Sequence, residues 1–169
     1  DLIDNPSFKQ MDMRDLLLNY PKNKFDCIYS FGNTIVHLNS IVDIYHWFKL
    51  AYSLLKNKSV LLIQILNYDF ITKNQIKELP LIENERVQFK RFYEYSDQEK
   101  LISFVTHLTI KKSNQVLKNT IQLYPLKKME IKKGLIKAGF KDMEFFSNYK
   151  GDPIKEDCFP LIIKALKKN

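Results

Sequence analysis

The sequence predicts an α/β fold, and three stretches carry that prediction. Residues 25–66 read as strand, helix, strand, a βαβ unit whose two strands run parallel. Residues 86–124 hold three alternating apolar runs in succession, the pattern of an antiparallel meander. After them comes a helix closed by Gly139 and two more strand-like runs, which suit a hairpin at a sheet edge.

In chain order, Asn5-Pro6 signals a turn, and Ser7 to Met11 has the length and character of a short strand. Asp12-Met13-Arg14-Asp15 is a polar turn, and Leu16 to Leu18 is apolar but too short to classify. Phe25 to Tyr29 reads as a buried strand that ends in a tight turn at Gly32. The stretch Ser30-Phe31-Gly32-Asn33, with His37 close behind, offers backbone, amide and imidazole groups beyond a strand's carboxyl end. Ligands of open α/β sheets sit in that place.

Asn39 or Ser40 can cap a helix, and Asp43, three residues after Ser40, comes close to a capping box. Its apolar face is Ile41, Ile44, Tyr45, Phe48, Tyr52 and Leu55, and its end is expected near Lys56-Asn57-Lys58. His46 and Trp47, beside that stripe, read as packing residues. Val60 to Leu66 is an almost unbroken run of β-formers, as in a strand buried on both faces, and it ends in Asn67-Tyr68-Asp69.

The meander consists of Arg86 to Tyr95, Leu101 to Lys111 and Gln115 to Tyr124. Ser96-Asp97-Gln98-Glu99 and Lys112-Ser113-Asn114 are its turns. Phe89, Phe92, Tyr93 and Tyr95 make its first run aromatic, so that run is expected to pack against or cover something. Pro125 precedes a helix over about Lys127 to Ala138. Phe140 to Phe146 and Leu161 to Leu166 are strands, joined by the loop Asn148-Tyr149-Lys150-Gly151-Asp152-Pro153.

With 169 residues, 45% of them hydrophobic, residues 1–169 suit a single domain, with 86–124 as an antiparallel insertion inside it. The net charge of +8 permits an acidic partner, but 27 Lys and Arg are interleaved with 19 Asp and Glu along the chain. Lys127, Lys128, Lys132, Lys133, Lys137 and Lys141 gather around the late helix, where a solvated face is the commoner reading than a phosphate-binding one. Nucleic acid is therefore disfavoured as a partner, and an oligomer is left open. Cys27 and Cys158 read as small core residues, and neither they nor the histidines have metal-ligand spacing. This cysteine usage fits a cytoplasmic setting. No apolar run is long enough to span a membrane.

Several phrases in order resemble class I S-adenosylmethionine-dependent methyltransferases, and among them the glycine N-methyltransferase type. They are Phe25-Asp26-x-Ile28 with Gly32-Asn33-Thr34-x-x-His37-Leu38, then Asn67-Tyr68-Asp69, and Tyr124-Pro125 ahead of a helix ending Ala138-Gly139-Phe140. Tyr149-Lys150 and the closing strand before Lys167-Lys168 complete the match. The resemblance implies a Rossmann-like sheet and S-adenosylmethionine as cofactor. It implies methyl transfer to a small-molecule acceptor, most simply an amine.

By the same resemblance, Asp12 and Met13 match positions at the cofactor's adenine, and Ser30, Phe31, Gly32 and His37 line its methionine and ribose side. Asn33 matches a substrate-side amide near the methyl group, and Asn33 and His37 are the catalytic candidates. Asn67, Tyr68 and Tyr124 are candidate acceptor contacts. The family's Gly-rich turn and ribose-binding carboxylate do not occur here, since Gly32, Gly134, Gly139 and Gly151 all lie elsewhere. The sheet is thus expected to be incomplete, lacking the N-terminal third, with the Phe25 strand left as an open edge and cofactor binding weak in this chain alone. Leu66 stands where enzymes acting on glycine carry an arginine for the carboxylate, which points away from glycine itself. Two rival readings remain: a basic RNA-binding or RNA-modifying domain, and a non-catalytic methyltransferase-like remnant.

Overall fold

The computed structural model describes residues 6–96 and 100–168. The apolar run after residue 54 forms the central strand, β2 (Leu55–Leu66). Leu61, Ile63 and Ile65 alternate into the core, each burial worth about 1.5–3 kcal/mol. Parallel to β2 lies β1 (Phe25–Ser30), with Ile28 opposite Leu61 and Ser30 opposite Ile63. A parallel pair needs a crossover, here a 3₁₀ turn (Thr34–Leu38) followed by helix α2 (Ile41–Leu54). The Ser40 hydroxyl oxygen caps α2 by accepting from Val42 N–H at 3.1 Å.

The closing hairpin, β7 (Lys141–Phe146) and β8 (Pro160–Lys167), completes a mixed sheet ordered β1-β2-β8-β7, with β8 antiparallel to both neighbours. Helix α4 (Lys128–Ala138) packs on α2 at Gly134, where a Cβ would lie 2.6 Å from the Tyr45 ring and 2.8 Å from the Phe48 ring. Gly139 ends α4 at φ 108°, a left-handed conformation suited to glycine.

The expected meander is present as β4 (Val87–Tyr95), β5 (Ile102–Ile110) and β6 (Gln115–Leu123), in register from Val87 opposite Ile110 to Ile102 opposite Leu123. A two-residue strand, β3 (Ile82–Glu83), extends it. Tyr93, Ile102 and Leu123 join the same buried cluster as Leu61 and Ile63, so one core runs through both sheets.

The structure corrects several expectations. Ser7 to Met11 forms no strand, and Leu16–Asn19 is a single helical turn, α1. The open edge expected at the Phe25 strand is present, since among the described residues β1 pairs only with β2, but the strand is not buried: Tyr29 is 69% exposed. α2 stops at Leu54 and β2 begins at once. The polar Lys56-Asn57-Lys58 stretch is a bulge with Lys58 at φ 59°, and the pairing skips from Phe25–Leu55 to Cys27–Val60. Trp47 is buried as expected, but His46 points to solvent because the helical stripe turns past it. Cys27 is exposed on the edge strand and Cys158 is half-buried, so neither is a core residue. Asn5 and the turn residues 97–99 lie outside the described residues.

Candidate cofactor and acceptor site

The carboxyl end of β1 turns sharply through two consecutive left-handed residues, Gly32 at φ 76° and Asn33 at φ 65°. Glycine and asparagine are the residues that accept this conformation at least cost. The turn is fastened to the end of β2 on both sides. Gly32 N–H donates to the Gln64 side-chain oxygen at 2.7 Å, and Asn33 N–H donates to the Gln64 carbonyl at 3.2 Å. Leu66 N–H donates to Asn33 Oδ1 at 3.0 Å, and Asn33 Nδ2 donates to the Tyr68 hydroxyl at 2.9 Å. Gln64 did not figure among the sequence candidates. Its signal was its polarity inside the apolar run Val60–Leu66.

On one side of this turn a cleft of about 690 Å³ is lined by Asp12, Met13, Thr34, His37 and Asp43 among others. That volume suits a small ligand. The adjacent candidates Asp12 and Met13 thus meet the distant His37 in one cleft. Asp12 is exposed and forked to Arg14, with Oδ1 accepting from Nε at 2.9 Å and Oδ2 from Nη2 at 2.6 Å. These bonds hold its carboxyl at about 2, below the usual carboxylate range. Phe31 lies edge-on to Tyr149, 5.8 Å between ring centres, and next to Tyr29. Ser30 is buried, and its hydroxyl has no partner among the described residues.

A second cavity of about 410 Å³ opens beyond β2, lined by Asn67, Asp69, Phe70, Lys73, Lys128 and the Ile154–Glu156 loop. Asn67 is 3% exposed and caps the short helix α3 (Tyr68–Lys73), its Oδ1 accepting from Phe70 N–H at 3.4 Å. Asp69 accepts from Lys128 N–H at 2.8 Å, which ties the end of β2 to the start of α4. Tyr68 is fully buried, and that burial pushes its hydroxyl up to about 12. Tyr124 does not line this cavity. Its hydroxyl donates to Glu130 at 2.7 Å, and its N–H donates to the Val36 carbonyl at 2.9 Å. Burial first, and then that bond to Glu130, raises its pKa above the ordinary phenol value.

No protein-family profile matches this chain, and no curated protein matches it either. Solved structures do. A S-adenosylmethionine-dependent methyltransferase from Clostridium acetobutylicum superposes with a TM-score of 0.78 at 15% identity, over 98% of this chain and 66% of its own. The sugar N-methyltransferase KedS8 from Streptoalloteichus gives 0.64 at 14% identity, over 95% and 62%. CalS10, an amino pentose methyltransferase from Micromonospora echinaspora solved with S-adenosylmethionine bound, gives 0.58 at 12%, over 91% and 62%. The fold is that of the class I S-adenosylmethionine-dependent methyltransferases. The chain spans just under two-thirds of the length of these structures.

Proposed function

We propose that this chain takes part in S-adenosylmethionine-dependent methyl transfer to a small-molecule amine. The observation that carries the reading is the cleft at the carboxyl end of β1, where Asp12, Met13 and His37 converge beside the Gly32-Asn33 turn of a methyltransferase fold. The donor set fits the cofactor. Asp12 has lone pairs for an adenine amino group, Met13 offers an apolar face to the ring, and His37 borders the remainder, while Phe31 stands outside the cleft against Tyr149. The acceptor reading is supported by the two neighbours described as sugar N- and amino pentose methyltransferases, and by Leu66 where a carboxylate-binding arginine would select glycine. An amino sugar is the acceptor class these features favour.

When bound, the cofactor supplies a methyl group on a sulfonium, which leaves without acid assistance. The chain's own task is then orientation. Asn33 keeps one N–H and one lone pair beyond its bonds to Tyr68 and Leu66, enough to hold an acceptor nitrogen. Asn33 would thereby hold the acceptor nitrogen toward the methyl group that a bound S-adenosylmethionine would supply. His37, exposed at the cleft, is the residue we assign to take the proton the methylated nitrogen loses.

Calorimetry and thermal shift with S-adenosylhomocysteine test the reading, followed by turnover with amino-sugar acceptors. Asn33→Ala is expected to lower turnover more than cofactor affinity. Equal losses would remove Asn33 from the acceptor side. Binding to RNA with a steep salt slope, and no response to S-adenosylhomocysteine, would replace methyl transfer by the nucleic-acid reading.

A further inference from the structure

Tyr93 reaches the turn from the other sheet. It is 2% exposed, its ring lies 5.5 Å from Phe104 on β5 and 6.3 Å from Tyr68, and among the described residues its hydroxyl makes no hydrogen bond of ordinary geometry, only a looser interaction with the Tyr68 hydroxyl. A buried hydroxyl so weakly bonded costs stability that a phenylalanine would not, so its presence asks for another explanation. Tyr68 supplies one. Its oxygen already accepts from Asn33 Nδ2, so its own proton must leave in another direction, inside a fully buried site. The phenols of Tyr93 and Tyr95 are its neighbours, and Tyr95 is engaged elsewhere, donating to the Ile76 carbonyl at 2.7 Å. The hydroxyl left to orient Tyr68 is that of Tyr93.

We propose that Tyr93 is a positioning residue: carried in on the antiparallel sheet, it sets the rotation of the Tyr68 hydroxyl and thereby the Asn33 amide at the turn after β1. The same sheet already grips the far end of the turn. Tyr124 N–H donates to the Val36 carbonyl at 2.9 Å, and Asn39, with its amide nitrogen turned toward β6, reaches the Gln122 carbonyl at 2.6 Å. The meander is thus a clamp with a backbone jaw at β6 and a side-chain jaw at Tyr93. Its consequence for catalysis rests on the methyl-transfer reading, because Asn33 matters only if the acceptor meets it.

The test is Tyr93→Phe in the full chain, beside Tyr93→Leu, which removes the ring packing as well. For Tyr93→Phe the expected results are a thermal midpoint unchanged or higher, a shifted Asn33 side-chain amide resonance, and Leu66 amide exchange faster by on the order of tenfold. With S-adenosylmethionine and an amino-sugar acceptor, kcat is expected to fall while S-adenosylhomocysteine affinity holds. Tyr93→Leu is expected to lower the midpoint, and an equal drop in Tyr93→Phe would mean that the hydroxyl serves packing and would overturn the proposal. An unmoved Asn33 resonance with unchanged Leu66 exchange would overturn it too. If the wild-type chain ignores S-adenosylhomocysteine, methyl transfer is what fails, and the two amide measurements still decide the role of Tyr93.

Discussion

At the residue scale, the fork between Asp12 and Arg14 makes a quantitative claim about the cleft. Bonds from Arg14 hold the exposed Asp12 carboxyl at about 2. Because the folded value is depressed, its contribution is present above the ordinary carboxylate value and is lost as pH falls through about 2. An NMR titration of Asp12 is expected to show a midpoint near 2, and Arg14→Ala should raise it toward the ordinary carboxylate value without reaching it, because the backbone N–H at position 14 still donates to Oδ1 at 2.8 Å. A midpoint unmoved by that substitution would mean that Arg14 is not the cause. Asp12 was legible in the sequence only through its family resemblance. Its partner lies only two residues on, but spacing alone does not show a fork, which needs side-chain geometry.

At the element scale, the contact between α2 and α4 depends on Gly134. In an ordinary helix interior, alanine would be better than glycine by roughly 0.8–1.0 kcal/mol. Here its Cβ would fall 2.6 Å from the Tyr45 ring and 2.8 Å from Phe48, which overrides propensity. Overpacking of this kind costs about 1–3 kcal/mol. Gly134→Ala is therefore expected to lower stability, by up to about 2 kcal/mol in urea unfolding. A stabilised variant would show that the helices separate without cost. Nothing in the sequence signalled this role for Gly134, because Tyr45 and Phe48, the rings it admits, lie in a helix far earlier in the chain.

At the scale of the whole molecule, Lys167 closes the chain on itself. The residue is 6% exposed, and its ammonium donates to Asn23 Oδ1 at 3.0 Å, to the Tyr52 carbonyl at 2.9 Å and to the Leu55 carbonyl at 2.7 Å. It joins the last strand to the end of α2 and the approach to β1. Lys164, on the same strand, pairs with Glu144 in a partly exposed bridge. Removing a buried donor strands its acceptors at about 1–3 kcal/mol each, whereas exposed pairs are worth about 0–1 kcal/mol. Lys167→Met should therefore destabilise the protein clearly more than Lys164→Met, by thermal or urea unfolding. Equal effects would mean that those carbonyls find water instead. A lysine-rich ending hid this role, because composition alone reads Lys167-Lys168 as a solvated tail.

The sequence by itself determined the parts: the parallel β1–β2 unit, the three-stranded meander, the helix ends near Ser40 and at Gly139 and the Gly32-Asn33 turn. These follow from local periodicity and from backbone conformations that few residues accept. Only the tertiary structure decided that β8 lies between β2 and β7, that the edge strand β1 exposes Cys27, and that His46 faces water. It alone brought Gln64 to Gly32 and Tyr68 to Asn33, pairs 32 and 35 residues apart. Hydrogen bonds of that reach are set by how elements pack, and a linear pattern of apolar and polar residues does not encode which distant partner a polar atom meets.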